Sequence, residues 1–453
     1  MNLLKKEKVD YKLLFKLTIP IFLEILLQIL IGNIDKLMVN NTICATAINN
    51  ANTVIDMLTV SFSVLASASL ILINQYKGAL DKEKERNIYY VAFYFNLFIS
   101  IIICLVLLIF APQIVSLLNV ESIYYDYTVT YIRINGGFIF LQSIMLTLAC
   151  FLRSNDFVLK SLMVSIGFNI INISLNALFL HVLKLDNPIV SVALGSVISR
   201  VLACIVLLIM CYKSIKVNLS LFKLKTFSFA QLKKILKLGL PSVGESISYS
   251  LSQIVILAFI NIIAFGAPEA KTYTQIIIYF AYLFTSAISQ GMQILLGRYL
   301  GARKFDEANK LVLSTVFMSV VVSIVVTGLI AIFSNFIFNL MVPNNITSSV
   351  SKDEIVKLCA IVMFMEVFLE IGRAINICFV RGLQTCGDVY FPTILAVIFC
   401  WFVAVIGSYV LGVHFNMGIL GVWISMTIDE LIRAVIFLIR WFKGKWKNYN
   451  LVK

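Results

Sequence analysis

The sequence predicts an all-α polytopic membrane protein with twelve transmembrane helices in two six-helix bundles. Three observations predict it. Sixty per cent of the 453 residues are apolar and only 13% are charged, too few charges to cover a water-facing surface but enough for one that faces lipid. The apolar residues come in runs of 20 or more, the length a helix needs to cross a bilayer, whereas barrel strands would show about ten residues of alternating polarity. The landmarks of the first half also return in the second half in the same order.

The predicted spans are 13–38, 53–76, 88–111, 128–152, 158–182, 188–211, 235–265, 273–298, 309–333, 355–381, 391–413 and 418–441. An even number leaves both termini on one side. Of the 37 Lys and Arg residues, 28 fall on the terminal side, in the N-terminal segment, alternate loops and the C-terminal end, against four (Lys184, Lys271, Lys352 and Lys357) in the opposite loops. Cytoplasmic loops keep their Lys and Arg, so both termini are expected in the cytoplasm, and the net charge of +14 needs no nucleic acid to explain it. The first run has no short apolar core followed by a small-residue cleavage site, so it is read as a retained helix rather than a signal peptide. Of nine cysteines, Cys44 is read in a loop and the rest in or at the ends of spans without CxxC spacing. That pattern argues against disulfides and metal sites and for small apolar fillers.

The internal repeat sets the domain organisation. Lys16-Leu17-x-x-Pro20-x-x-x-Glu24 returns as Lys237-Leu238-x-x-Pro241-x-x-x-Glu245, and Tyr76-x-Gly78-Ala79 as Tyr299-x-Gly301-Ala302. Leu152-Arg153 with Asp156 returns as Leu383-Gln384 with Asp388, and Leu194-Gly195-x-x-Ile198-Ser199 as Leu420-Gly421-x-x-Ile424-Ser425, at offsets of 221 to 232. Six helices per half make the halves parallel repeats about a pseudo-two-fold along the membrane normal. Residues 1–211 are the expected N-terminal bundle, 212–234 a cytoplasmic linker and 235–453 the C-terminal bundle. Two such bundles can rock about a central cleft, as a transporter does. No Gly-x-x-x-x-Gly-Lys-[Ser/Thr] loop for ATP phosphates occurs, so an ion gradient is the expected energy source.

A carboxylate in a helix centre costs roughly 2.5–3.5 kcal/mol on insertion scales, which makes each one a candidate for function. In the first span Glu24, Gln28 and Asp35 share a face. Lys36 could neutralise Asp35, although successive helical residues point about 100° apart. Glu24, near the cytoplasmic end, could equally be solvated at the interface. Glu245 is the repeat partner of Glu24, with Ser248 and Ser252 on the same stripe. Glu366, Glu370 and Arg373 form a charged stripe in the tenth span, as a site or as a structural ion pair. Asn169, Asn172 and Asn176 line the fifth span, where interhelical hydrogen bonding is the plainer reading. Asp429 and Arg433, at i and i+4, read as a structural pair or a cytoplasmic brace, and His181 and His414 as interfacial residues.

Together these motifs resemble the multidrug and toxin extrusion (MATE) family. Pro20 followed by Gly32-Asn33-Ile34-Asp35-x-x-Met38-Val39 is similar to that family's first helix, whose aspartate takes part in proton or sodium coupling. Gly239-Leu240-Pro241-Ser242 with Glu245 resembles the seventh helix of a bacterial subgroup. Gly372-Arg373-x-x-Asn376, Leu383, Gly387-Asp388, Phe391-Pro392 and Asp429-Glu430-x-x-Arg433 with Arg440-Trp441 resemble its C-terminal half. Two departures stand out. The fifth helix carries Asn172-x-x-x-Asn176 where the family often has Asn-x-x-x-Asp, and Arg373 falls about where sodium-coupled members have an aspartate. Neither coupling site carries over whole. Asp35, Glu245, Glu370 and Glu366 are the expected ion-coupling acids, and Glu245 and Glu370 the expected ligands if sodium is the ion. Glu24, Gln28, Asn172, Asn176, Ser248 and Arg373 are expected to line or support the cavity.

The resemblance implies an antiporter in a bacterial plasma membrane that exports amphiphilic, mainly cationic, organic compounds in exchange for Na⁺ or H⁺ by alternating access. It is expected to act as a monomer among membrane lipid, with no cofactor beyond the coupling ion. A lipid-linked sugar flippase of related architecture is the alternative, and would need a basic cleft for diphosphates that only Arg133, Arg200 and Arg373 could supply. An integral-membrane enzyme is disfavoured by two isolated histidines, no paired loop carboxylates and no large soluble loop.

Overall fold

The computed structural model describes residues 9–39, 42–183, 185, 187–217, 227–263, 266–343, 350–449, 451 and 452, with the side chains of 29–37 and 42 outside the described set. Among the described residues the chain is helical, without strands. The helices are α1 (Tyr11–Met38), α2 (Thr42–Gly78), α3 (Lys82–Leu117), α4 (Ser122–Tyr131), α5 (Ile139–Ser154), α6 (Val158–Ala177), α7 (Pro188–Ile215), α8 (Phe229–Ile262), α9 (Ala267–Gly301), α10 (Phe305–Ile332), α11 (Ser334–Met341), α12 (Lys352–Cys386), α13 (Tyr390–Phe399) and α14 (Gly418–Phe442). Helix meets each of the twelve predicted runs, commonly extending a few turns beyond it. Among the described residues seven helical segments, those containing α2, α3, α6, α7, α8, α10 and α13, are long and apolar enough by themselves to cross a membrane, and the pair α4–α5, bent by 45°, makes an eighth. α12 is not among them. Its mid-helix charges lower its hydropathy, and those charges form the site described below.

Three departures from the expected elements stand out. The fourth span is broken by a π-helical turn at Ile132–Gly136 before α5 begins, at the place where Gly136 and Gly137 lie against Leu107 and Leu108 of α3 and a Cβ would approach to 2.8 and 2.7 Å. Wide π turns also end the fifth span at Leu178–Val182 and run through Cys400–Val405 and Ser408–His414 in the eleventh. Cys44, expected in a loop, is buried inside α2, whose alanines at its start pack into the core.

Helix ends follow local chemistry. Asp81 caps α3 by accepting from Lys84 N at 3.1 Å, which holds its carboxyl below the usual carboxylate range. Asn187 caps α7 with Pro188 in the first turn. Ser351 and Glu354 form a capping box on α12, and Gly387, at φ +100°, ends that helix in the left-handed region. Repeat landmarks take matching conformations. Leu80 and Arg303, each just after its Tyr-x-Gly-Ala motif, have φ of 60° and 57°. The two repeated glycines, Gly195 and Gly421, each admit a neighbour that a Cβ would displace: Asn176 in one case and the Leu411 carbonyl in the other.

The chain packs as two compact units, one of Ile19–Val243 and one of Met1–Thr18 with Gly244–Lys453. In the first, α2, α3 and α5 pack on one another and α7 packs on α5 and α6, around a core that includes Ile48, Phe62, Leu107 and Ile132. In the second, α12 is central, flanked by α9, α10 and α14, with a core that includes Ile256, Phe338, Met363 and Trp423. The unit boundaries fall inside α1 and α8, beside Pro20 and Pro241. A proline there removes one i→i−4 hydrogen bond from the helix. The first turns of α1 lie against α9, where a Cβ on Gly291 would come within 3.0 Å of Thr18 Oγ1. The first turns of α8 lie against α2: Lys234 donates to Tyr76 OH at 2.9 Å, and Tyr76 OH donates to Gln231 at 3.1 Å. Of the expected linker, 218–226 lie outside the described residues.

A Cβ at position 421 would meet the Leu411 carbonyl carbon at 2.6 Å and its oxygen at 2.7 Å, whereas one at 328 would meet nothing within 4 Å. Gly421→Ala is therefore expected to destabilise the detergent-purified protein by about 1–3 kcal/mol, and Gly328→Ala to leave it unchanged or up to about 1 kcal/mol more stable. Thermal unfolding of both variants checks this, and equal shifts would count against the close approach.

Candidate functional site

The largest assembly of buried charge lies in the unit built around α12. Glu366, Glu370 and Arg373, at i, i+4 and i+7, fall on one face of that helix, and the face turns toward α14. Gly372 makes this possible: a Cβ there would meet the Glu430 carbonyl carbon at 2.9 Å and Leu431 N at 3.0 Å, so only glycine admits α14 this closely. Arg373 Nη1 bonds Glu366 Oε1 at 3.1 Å and also bonds Glu370 Oε1. Its Nε lies 4.0 Å from Glu430 Oε1. Arg433 holds Asp429 through both ends of its guanidinium and Glu430 Oε1 at 3.1 Å. Trp423 Nε1 donates to Glu366 Oε2 at 2.7 Å, and Asn376 Nδ2 donates to the Glu430 carbonyl at 2.8 Å and to its carboxylate.

Four carboxylates thus share two guanidiniums. All are buried: Glu366 is 1% exposed and Glu370 0%. One oxygen stands apart, Glu370 Oε2, which is buried and has no hydrogen-bond partner. Beside the cluster lies a small cavity lined by Tyr249, Gln253, Arg373, Cys400, Asp429 and Glu430 among others. Among the described residues no group of three histidine, cysteine or carboxylate side chains is arranged to hold a metal ion. Glu366 Oε1 and Glu370 Oε1, the latter of the pair expected with Glu245 to hold sodium, face the Arg373 guanidinium.

Glu245 is held separately, accepting from Thr393 Oγ1 at 3.1 Å. Further along its stripe, Ser248 accepts from Trp401 Nε1 at 2.9 Å and Ser252 from Cys400 at 2.9 Å. These bonds tie α8 to the wide-turned eleventh span. In the other unit Glu24 is 5% exposed, not interfacially solvated: Ser161 and Ser165 donate to it at 3.2 and 3.4 Å, and Arg153 lies 4.0 Å away. Asn172 donates to Ser196 at 3.1 Å and Asn176 toward Asn172 at 3.5 Å, so the asparagine stripe ties α6 to α7. Gln28 is exposed, and the side chain of Asp35 lies outside the described residues.

Sequence reasoning found the α12 stripe but missed Glu430, Trp423 and the cavity residues Tyr249 and Gln253. A signal was present for two of them. A tryptophan in mid-span needs a partner for its N–H, and Glu430 adjoins the Asp429–Arg433 pair.

A family model described as MatE matches residues 20–178 and 241–410. The uncharacterized transporter YisQ of Bacillus subtilis (strain 168) is 31% identical over 440 residues, 96% of this chain and 94% of its own length. A probable multidrug resistance protein NorM of Thermotoga maritima is 24% identical over 464 residues, 99% of this chain and 96% of its own. Among solved structures, one described as MATE in the bent conformation has a TM-score of 0.87 at 17% identity, covering 97% of this chain and 96% of the other. A MOP superfamily transporter from Pyrococcus furiosus, described as having a binding pocket of reverse polarity, has a TM-score of 0.85 at 17% identity over 96% and 95%. These two likenesses bear on the fold.

Trp423→Phe would strip Glu366 Oε2 of its indole donor while keeping the bulk of the ring. Leaving a buried charged acceptor short of a partner is expected to cost about 1–3 kcal/mol, read as a lowered unfolding temperature. An unchanged temperature would mean that the bond carries no weight.

Proposed function

The chain belongs to the multidrug and toxin extrusion family of membrane transporters, and on that premise we propose that it is a secondary active antiporter. It exports amphiphilic organic compounds, cations foremost, in exchange for H⁺ or Na⁺ by alternating access, and uses no other cofactor. The observation that carries this reading is the excess of carboxylate over guanidinium around α12, with Glu245 a further acid of the same unit. A carboxylate taken out of water must be neutralised by a proton or a cation, so an entering ion and a departing organic cation compete for the same negative charge. The membrane potential supplies about 2.3 kcal/mol per charge per 100 mV. The relatives named as multidrug resistance proteins support the substrate class. The excess of Lys and Arg on one side of the chain supports cytoplasmic termini in a bacterial plasma membrane; that the transporter acts as a monomer is part of the same proposal.

The flippase alternative is not favoured. It needs a cleft with several arginines available to a diphosphate, but Arg373 is engaged by carboxylates and Arg200 bonds Asn135 at 2.9 Å, which leaves only the exposed Arg133 of the three.

In proteoliposomes, Glu245→Gln, Glu370→Gln and Asp35→Asn, each made separately, are expected to slow gradient-driven dye efflux roughly tenfold, about 1.4 kcal/mol of barrier. Imposing Na⁺ and H⁺ gradients independently identifies the ion. Undiminished efflux in all three variants would reject the assignment. Efflux that lipophilic cations do not affect, together with tight binding of a lipid-linked sugar, would favour the flippase.

A further inference from the structure

We infer that Arg373 is a tethered cation: its guanidinium, carried by the chain itself, stands among Glu366, Glu370 and Glu430, where an exchangeable metal ion would otherwise sit, so this cluster takes no sodium. The geometry carries this on three points. The guanidinium bonds both carboxylates of its own helix and lies 4.0 Å from the third on α14. A sodium ion at those oxygens would meet a like charge within a few ångströms, in surroundings where such repulsion is stronger than in bulk water. Among the described residues no group of three histidine, cysteine or carboxylate side chains is arranged to hold a metal ion.

The guanidinium is also not locked. Arg373 lines the cavity beside Asp429 and Glu430, and Glu370 Oε2 is buried with no hydrogen-bond partner. The side chain therefore has room to lean from the Glu366–Glu370 pair toward the α14 pair. A proton or organic cation arriving at one pair displaces it toward the other, and the charge that moves belongs to the protein. Arg373 acts through the carboxylates it holds, which makes it a positioning residue for exchange.

This inference rests on the antiport reading for its consequence to the coupling ion, but its test reads binding separately from transport. Full-length wild-type protein and Arg373→Ala are compared in detergent and in proteoliposomes, with guanidinium chloride at millimolar, non-denaturing concentration and with NaCl exchanged for choline chloride at constant ionic strength. The expected results are a wild-type unfolding temperature indifferent to Na⁺ and a lowered one in Arg373→Ala that guanidinium raises by mass action. Dye efflux in Arg373→Ala is expected to fall roughly tenfold and to recover with guanidinium but not with Na⁺. A Na⁺-dependent rise in the wild-type unfolding temperature would overturn the inference, as would an Arg373→Ala protein that guanidinium neither stabilises nor rescues. If Arg373→Ala does not fold, Arg373→Lys takes its place. Its ammonium occupies the slot as a point charge, so reduced efflux that guanidinium leaves unchanged is expected, and rescue by guanidinium would contradict it. Wild-type efflux driven by no ion gradient would sink the antiport reading alone and leave the binding arms to decide the tethered cation.

Discussion

An ionised carboxylate in a medium that cannot solvate it must be matched within a few ångströms, and the unit around α12 is organised by that requirement. Removing one partner of a buried pair typically costs several kcal/mol. The cluster spreads its charges over two guanidiniums, an indole N–H and an asparagine amide, and only Glu370 keeps an oxygen without a hydrogen bond. The close approach of α12 and α14 serves the same end. Gly372 lets the two helices come near enough for Arg373 to reach Glu430, and Asn376 satisfies a backbone carbonyl of the neighbouring helix as well as its side chain.

The twelve spans were readable because lipid imposes composition directly: twenty apolar residues announce themselves without any tertiary information. The π turns in the fourth, fifth and eleventh spans left no such mark, since one extra residue per turn changes neither length nor hydropathy. The stripe of Glu366, Glu370 and Arg373 was legible because its members sit on one helix at helical spacing. The place of Glu430 and Trp423 beside that stripe was not, because the bonds that join them to it, Glu430 with Asn376 and Trp423 with Glu366, span more than fifty residues and depend on the packing of α12 on α14. Glu24 failed for a related reason: its proximity to an expected membrane boundary suggested water, whereas Ser161, Ser165 and Arg153 enclose it.

The two units show how one plan diverges. Both keep the left-handed residue after Tyr-x-Gly-Ala and the glycine contact in the last helix of each half. Their polar interiors differ. One relies on amide and hydroxyl bonds such as Asn172–Ser196 together with the Glu24–Arg153 approach, and the other concentrates acids and arginines between α12 and α14. Neutral hydrogen bonds join helices without storing charge, while a partly matched acid cluster retains an affinity for positive ions. The scaffold is repeated and the chemistry is not.

The placement of the first turns of α1 and α8 bears on how the chain is made. Ribosomes deliver residues in order, and the opening turns of α1 find the surface around Gly291 only after nine helices have been synthesised. The unit of Ile19–Val243 likewise waits for the start of α8 before Tyr76 gains Gln231 and Lys234. A truncated transcript ending after the seventh helix would therefore release a product with its first turns undocked and one tyrosine unanswered, a target for quality-control proteases rather than a half-sized working module.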